Sequence, residues 1–280
     1  MLNLLVACVL TPASAAADES SVIWKIGQSD NVYEDFAIPG EYQAYTTKFP
    51  ADVVFRVGRD QPQTSWPFIH PGPDDTWAGS RAHTFRIVFD LDQPVDGFPF
   101  LVIDLVDTQG GSPPQLEVNV NGASARVPTP RGAGDASLTQ PSAGREHVVR
   151  LPIAPTLLRQ GENTIELKTA AGSWVLYDSL RLEQVGEVEM KSALRAEAEP
   201  LVRKSPGGPL QQVRIHMDVC GPAGQVELSV GGTSYRQAVP ERRLGTATVV
   251  LSIPPVAEPT RATVTLRAAA QTLQGTVELR

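Results

Sequence analysis

Strict alternation of apolar and polar residues runs through most of this chain, and a two-residue period can bury one face only as a β-strand. It is clearest in Phe85-Arg86-Ile87-Val88-Phe89-Asp90-Leu91, Leu116-Glu117-Val118-Asn119-Val120, His147-Val148-Val149-Arg150-Leu151 and Thr164-Ile165-Glu166-Leu167-Lys168. No helical stripe of comparable length competes with these segments, so the chain is expected to be all-β. Turn formers separate the strands at Gly110-Gly111-Ser112-Pro113-Pro114, Asn121-Gly122 and Gly161-Glu162-Asn163. This is the spacing of a sheet-on-sheet sandwich, and Asn121-Gly122 signals a type I′ hairpin because both central residues tolerate positive φ.

The 280 residues suit about two domains of ~100–200 residues. Aromatic residues crowd positions 22–177, and only Tyr235 lies beyond Tyr177. The segment after Gly186 alternates again (Val213, Ile215, Met217, Val219; Val226, Leu228, Val230; Val249, Leu251, Ile253). Residues 19–184 are therefore read as one sandwich and 188–280 as a smaller one of fibronectin or immunoglobulin-like kind, joined near Gln184–Val188.

Residues 1–17 read as a secretory signal, with Met1-Leu2-Asn3-Leu4-Leu5-Val6-Ala7-Cys8-Val9-Leu10 followed by the small run Ala13-Ser14-Ala15-Ala16-Ala17. The expected location is secreted or periplasmic. Leu5-Val6-Ala7-Cys8 also resembles a lipobox, which would make the chain a lipoprotein through Cys8. Nothing else approaches the roughly 20 apolar residues of a membrane span. Cys220 would then stand alone and is read as a buried small hydrophobe. With 24 Lys+Arg against 31 Asp+Glu, a net charge of -7 and no basic run, nucleic acid is not an expected partner.

Ile23-Trp24-Lys25-Ile26-Gly27-Gln28-Ser29-Asp30 followed by Phe36 resembles the opening of the carbohydrate-binding-module-like C-terminal domain of family 4 polysaccharide lyases, the rhamnogalacturonan lyases. The likeness continues through Asp52-Val53-Val54-Phe55-Arg56-Val57-Gly58, Trp66 with His70, residues 85–91, Leu116 to Gly122, and Gly161 to Ile165. It ends at Val175-Leu176-Tyr177-Asp178-Ser179-Leu180-Arg181-Leu182-Glu183. The resemblance implies a jelly-roll β-sandwich and a sugar-binding role. It does not imply lyase activity, because in those enzymes the module follows a catalytic domain and here it follows the signal directly. The closing Gly275-Thr276-Val277-Glu278-Leu279-Arg280 is similar to the stretch preceding the catalytic domain in proteins related to family 38 α-mannosidases. A catalytic domain beyond residue 280 is thus one reading, and a structural or adhesion role another.

Candidate chemistry concentrates between Gly58 and Arg81, the longest stretch without alternation. Long loops in compact domains are often functional, and aromatic faces suit the C–H face of a sugar. Trp77 is the expected stacking residue because few apolar neighbours in sequence could bury it. Asp75 and His70 are its expected polar partners, with Trp66 and Arg81 completing the site; Trp66 is equally readable as core. Arg56, Arg59, Arg81 and Arg131 could receive a uronate through the guanidinium fork. Asp74-Asp75 and Glu34-Asp35 offer the carboxylates that calcium prefers, without EF-hand spacing. The four histidines lack zinc spacing, and there is no G-x-S-x-G elbow, so no catalytic residue is assigned. Asp178 is read as a buried strand-end carboxylate satisfied by backbone N–H groups. The expected partner is a polysaccharide or oligosaccharide.

Overall fold

The computed structural model describes residues 21–95, 97–185, 193–268 and 271–280. The expectations placed on the signal, the lipobox and most of the join between the domains lie outside the described residues.

In chain order the first unit contains β1 (Ser21–Gly27), β2 (Val53–Arg56), β3 (Ile69–His70), β4 (Thr84–Leu91), β5 (Phe98–Thr108), β6 (Gln115–Val120), β7 (Ala123–Pro128), β8 (His147–Pro152), β9 (Gly161–Ala171) and β10 (Val175–Val185). They form two sheets, one in the order β1-β10-β5-β8 with β3 added to β10, the other in the order β2-β4-β9-β6-β7. Every pairing is antiparallel except β2 with β4. Period-2 alternation places Phe85, Ile87, Leu116, Val118, Ile165 and Leu167 of the second sheet against Leu101, Ile103, Leu105, Leu180 and Leu182 of the first. Asn121 (φ 47°) and Gly122 (φ 91°) make the β6–β7 turn as their sequence requires.

The second unit is β11 (Leu194–Ser205), β12 (Gly208–Met217), β13 (Gly224–Val230), β14 (Thr233–Val239), β15 (Ala247–Ile253), β16 (Thr260–Ala268) and β17 (Gln271–Leu279). Its sheets, β11-β12-β15 and β14-β13-β16-β17, enclose a separate core around Val213, Ile215, Val226, Leu228, Val264 and Leu279. The protein is therefore two β-sandwiches.

β5, FPFLVIDLVDT, has no exposed residue although it pairs in an antiparallel sheet. Its outward residues Phe100 and Val102 pack with Val185 and Ala193, and Val219 and Leu273 of the second unit lie against them. A backbone seam extends this contact, with Ala154 N donating to Arg243 O at 2.8 Å and Gly245 N to Pro152 O at 2.9 Å. Cys220 lies in a loop after β12 and not in a strand, with Sγ 3.2 Å from Pro152 O. Burial pushes its thiol pKa up to about 12. Expressed separately, residues 19–184 and 188–280 should each melt cooperatively. The first should melt below its counterpart in the full chain, because the split exposes Phe100 and Val102. Calorimetry of both halves tests this, and a disordered N-terminal half would refute it.

Candidate functional site

Beneath the 58–81 loop lies an aromatic layer that closes one end of the first sandwich. Trp66 is 0% exposed and packs edge-on against Phe85 (centroids 5.2 Å apart) and Phe55 (6.0 Å). His70 is equally buried and stacks on Phe85 at 3.7 Å. Its Nδ1 is 2.8 Å from the Tyr177 hydroxyl and its Nε2 is 2.9 Å from the His83 carbonyl. Burial holds its pKa down at about 3, so the ring is neutral. Trp66 and His70 are thus fully buried, present no surface to a sugar and are removed from the predicted site. Arg81 also lies aside, half-exposed, and faces Asp52 at 3.4 Å.

The remaining two predicted residues sit at an open depression. Asp75 is buried and forms a strut. Its carboxylate accepts from Gly72 N at 2.8 Å, from the Ser173 hydroxyl and from the Trp77 indole N–H, while desolvation raises its pKa. Asp75 therefore positions the loop instead of contacting a ligand. The strut requires Gly72, where a methyl group would collide with the Gly172 carbonyl, so the 72–80 loop can lie directly against residues 172–173.

Trp77 is half-buried rather than fully presented. Tyr42 and Tyr45, distant in sequence, meet it edge-on at 5.1 Å and 6.2 Å. Around this pair the depression is lined by Asp74, Gln109, Ser112, Asp135 and Leu138. Ser112 donates its hydroxyl to Asp74, and Gln109 donates its amide to Asp135 Oδ1 at 2.8 Å. Asp135 and Leu138 are carried by a loop that the buried Asp107 carboxylate organises. That carboxylate accepts from Ala133 N (2.9 Å), Gly134 N (3.3 Å), Ser137 Oγ (2.6 Å) and Arg145 N (3.2 Å). Sequence reading missed Tyr42, Gln109, Ser112 and Asp135 because they come from three loops far apart in the chain; the local signal there was Gly110-Gly111-Ser112.

The β-sheet face that bears Asn119 lacks an aromatic platform. Its outward residues include the Arg86–Glu166 pair (2.7 Å) and the Glu117–Arg126 pair (4.0 Å), and Asn119 itself bonds to Ser124 Oγ (2.8 Å) and Gly122 N (3.0 Å). Among the described residues there is no cluster of three or more His, Cys, Asp or Glu arranged to hold a metal. No helix among the described residues is long and apolar enough to cross a membrane.

Residues 22–182 match the family described as CBM-like, polysaccharide lyase family 4, domain III. The chain belongs to this family. It is 26% identical over 179 residues to the rhamnogalacturonate lyase of Dickeya dadantii (strain 3937), a match spanning 60% of this chain and 29% of that enzyme. The chain thus corresponds to less than a third of that relative's length. Among solved structures, the Ruminococcus gnavus β-glucuronidase in complex with uronic isofagomine covers 93% of this chain and 44% of its own, at 10% identity and a TM-score of 0.30. The Eisenbergiella tayi GH2 β-galacturonidase bound to galacturonate covers 71% and 36%, at 15% identity and a TM-score of 0.25.

Proposed function

We propose that the first sandwich is a non-catalytic carbohydrate-binding module that binds glycan at the Trp77–Tyr42 depression, and that the second acts as a spacer within a secreted polysaccharide-degrading system. Membership of the CBM-like family supports the class of ligand. The observation that carries the location is a half-exposed aromatic pair rimmed by Asp74, Asp135 and Gln109, a platform for a sugar face with acceptors for its hydroxyls. Export is supported by the signal read in residues 1–17.

A second reading has the same module serving a lyase or hydrolase whose catalytic domain lies elsewhere in a longer protein. The partial coverage of the rhamnogalacturonate lyase favours it.

Trp77→Ala should weaken binding about tenfold or more. An aromatic contact contributes about 1 kcal/mol beyond its area, and each ~1.4 kcal/mol is a tenfold change. The fold should survive at a modest cost, since the side chain is half-buried. Calorimetric titration with pectic and mannan oligosaccharides, alongside near-UV circular dichroism, tests both halves of the statement. Unchanged binding by the variant would place the site elsewhere.

A further inference from the structure

We infer that this depression selects uncharged sugars and disfavours uronates, a specificity that rests on the sugar-binding reading above. Its ionisable lining side chains are Asp74, Asp75 and Asp135, and no Lys, Arg or His lines it. None of the four arginines that could receive a uronate reaches it: Arg81 faces Asp52, and Arg56, Arg59 and Arg131 lie outside the lining.

The hydrogen-bonding inventory points the same way. The Ser112 hydroxyl and the Gln109 amide are already directed at Asp74 and Asp135. Each of those exposed carboxylates has its second oxygen unbonded among the described residues, so the surface offers acceptors and the ligand must bring donors. Sugar hydroxyls do so, and a hydroxyl bonded to a carboxylate is of the stronger, charge-assisted kind. A uronate carboxylate brings only acceptors and a like charge, and like charges within a Debye length repel. Asp75, internally bonded beneath Trp77, adds a third carboxyl to the same floor.

The test is calorimetric titration of the full chain with neutral mannan oligosaccharide and with oligogalacturonate, in EDTA to remove calcium bridging. Each is measured at low ionic strength and at about 0.5 M sodium chloride, where screening is short-ranged. The neutral sugar should bind at least tenfold tighter at low salt. Salt should strengthen the uronate and leave the neutral sugar nearly unchanged. The Asp74→Asn, Asp135→Asn double variant should erase most of the discrimination, by gaining uronate binding and losing neutral-sugar affinity. Oligogalacturonate binding that equals or exceeds the neutral sugar, weakens with salt and is lost in Trp77→Ala would overturn the selectivity while leaving sugar binding intact. Failure of both sugars to bind the unaltered chain would overturn the sugar-binding reading itself.

Discussion

Trp66→Ala is expected to destabilise the first sandwich by about 3–5 kcal/mol, the range for deleting a fully buried large aromatic side chain. The side chain is 0% exposed and touches Phe55, Phe85 and Tyr177, so its removal leaves a cavity between the two sheets that neighbouring rings cannot all move to fill. Trp66→Phe should cost much less. It keeps a ring against Phe85, and the Trp66 indole nitrogen has no hydrogen-bond partner among the described residues whose loss would matter. Denaturant unfolding of the two variants beside Trp77→Ala separates the tryptophans. Trp66→Ala should shift the midpoint strongly, and Trp77→Ala should shift binding more than stability. A Trp66→Ala protein as stable as the parent would refute the core assignment.

The second large effect is the response to acid, where two buried groups pull in opposite directions. His70, held neutral with a pKa near 3, binds fewer protons folded than unfolded, so its contribution to stability is lost as pH falls from about 6.5 toward 3. Asp178 has the opposite sign. It is 2% exposed, accepts from Asp30 N (3.3 Å) and Asn31 N (2.9 Å), and burial with the nearby Asp104 and Asp30 carboxyls raises its pKa to about 6. Its contribution is favourable in acid and lost as pH rises through about 6. Between about pH 4 and 6 the two one-proton slopes largely offset. Asp104, also raised, reinforces Asp178, while the lowered His83 and His147 reinforce His70.

Asp178→Asn keeps an acceptor for both backbone N–H groups and removes the charge. It should therefore gain about 1 kcal/mol or more at pH 7.5, and it should lose stability on acidification from pH 6 to 4 more steeply than the parent, by up to ~1.4 kcal/mol per pH unit. Denaturant midpoints measured across this range decide the point. A variant less stable at pH 7.5 with an unchanged acid slope would show that the surroundings of Asp178 do not raise its pKa.

Local sequence was sufficient for the repeating parts of this molecule. The alternation at 85–91, 116–120 and 164–168 returned as half-buried strands because side-chain direction along an extended backbone is a property of the residue's own position. Asn121-Gly122 became a turn for the same local reason, and Asp178, read as satisfied by backbone N–H groups, was found so, at an irregular register inside β10 rather than at its end. The composition of the 58–81 loop singled out Trp77, which lines the open depression.

Tertiary structure decided what each loop residue faces. Trp66 and Trp77 belong to the same stretch without alternation, yet one fills the gap between two sheets and the other lies beside Tyr42 at the rim. His70 and Asp75 looked like free polar groups until the fold brought them Tyr177 and Ser173, about a hundred residues away in the chain. The burial of Phe100 and Val102 on the outer face of β5 likewise follows from a second sandwich packed against them, a contact that no window of sequence contains. Alternation determines which residues turn inward from a strand, whereas the burial of loop side chains depends on partners distant in sequence, and that is why the strands were legible and the lining of the candidate depression was only half so.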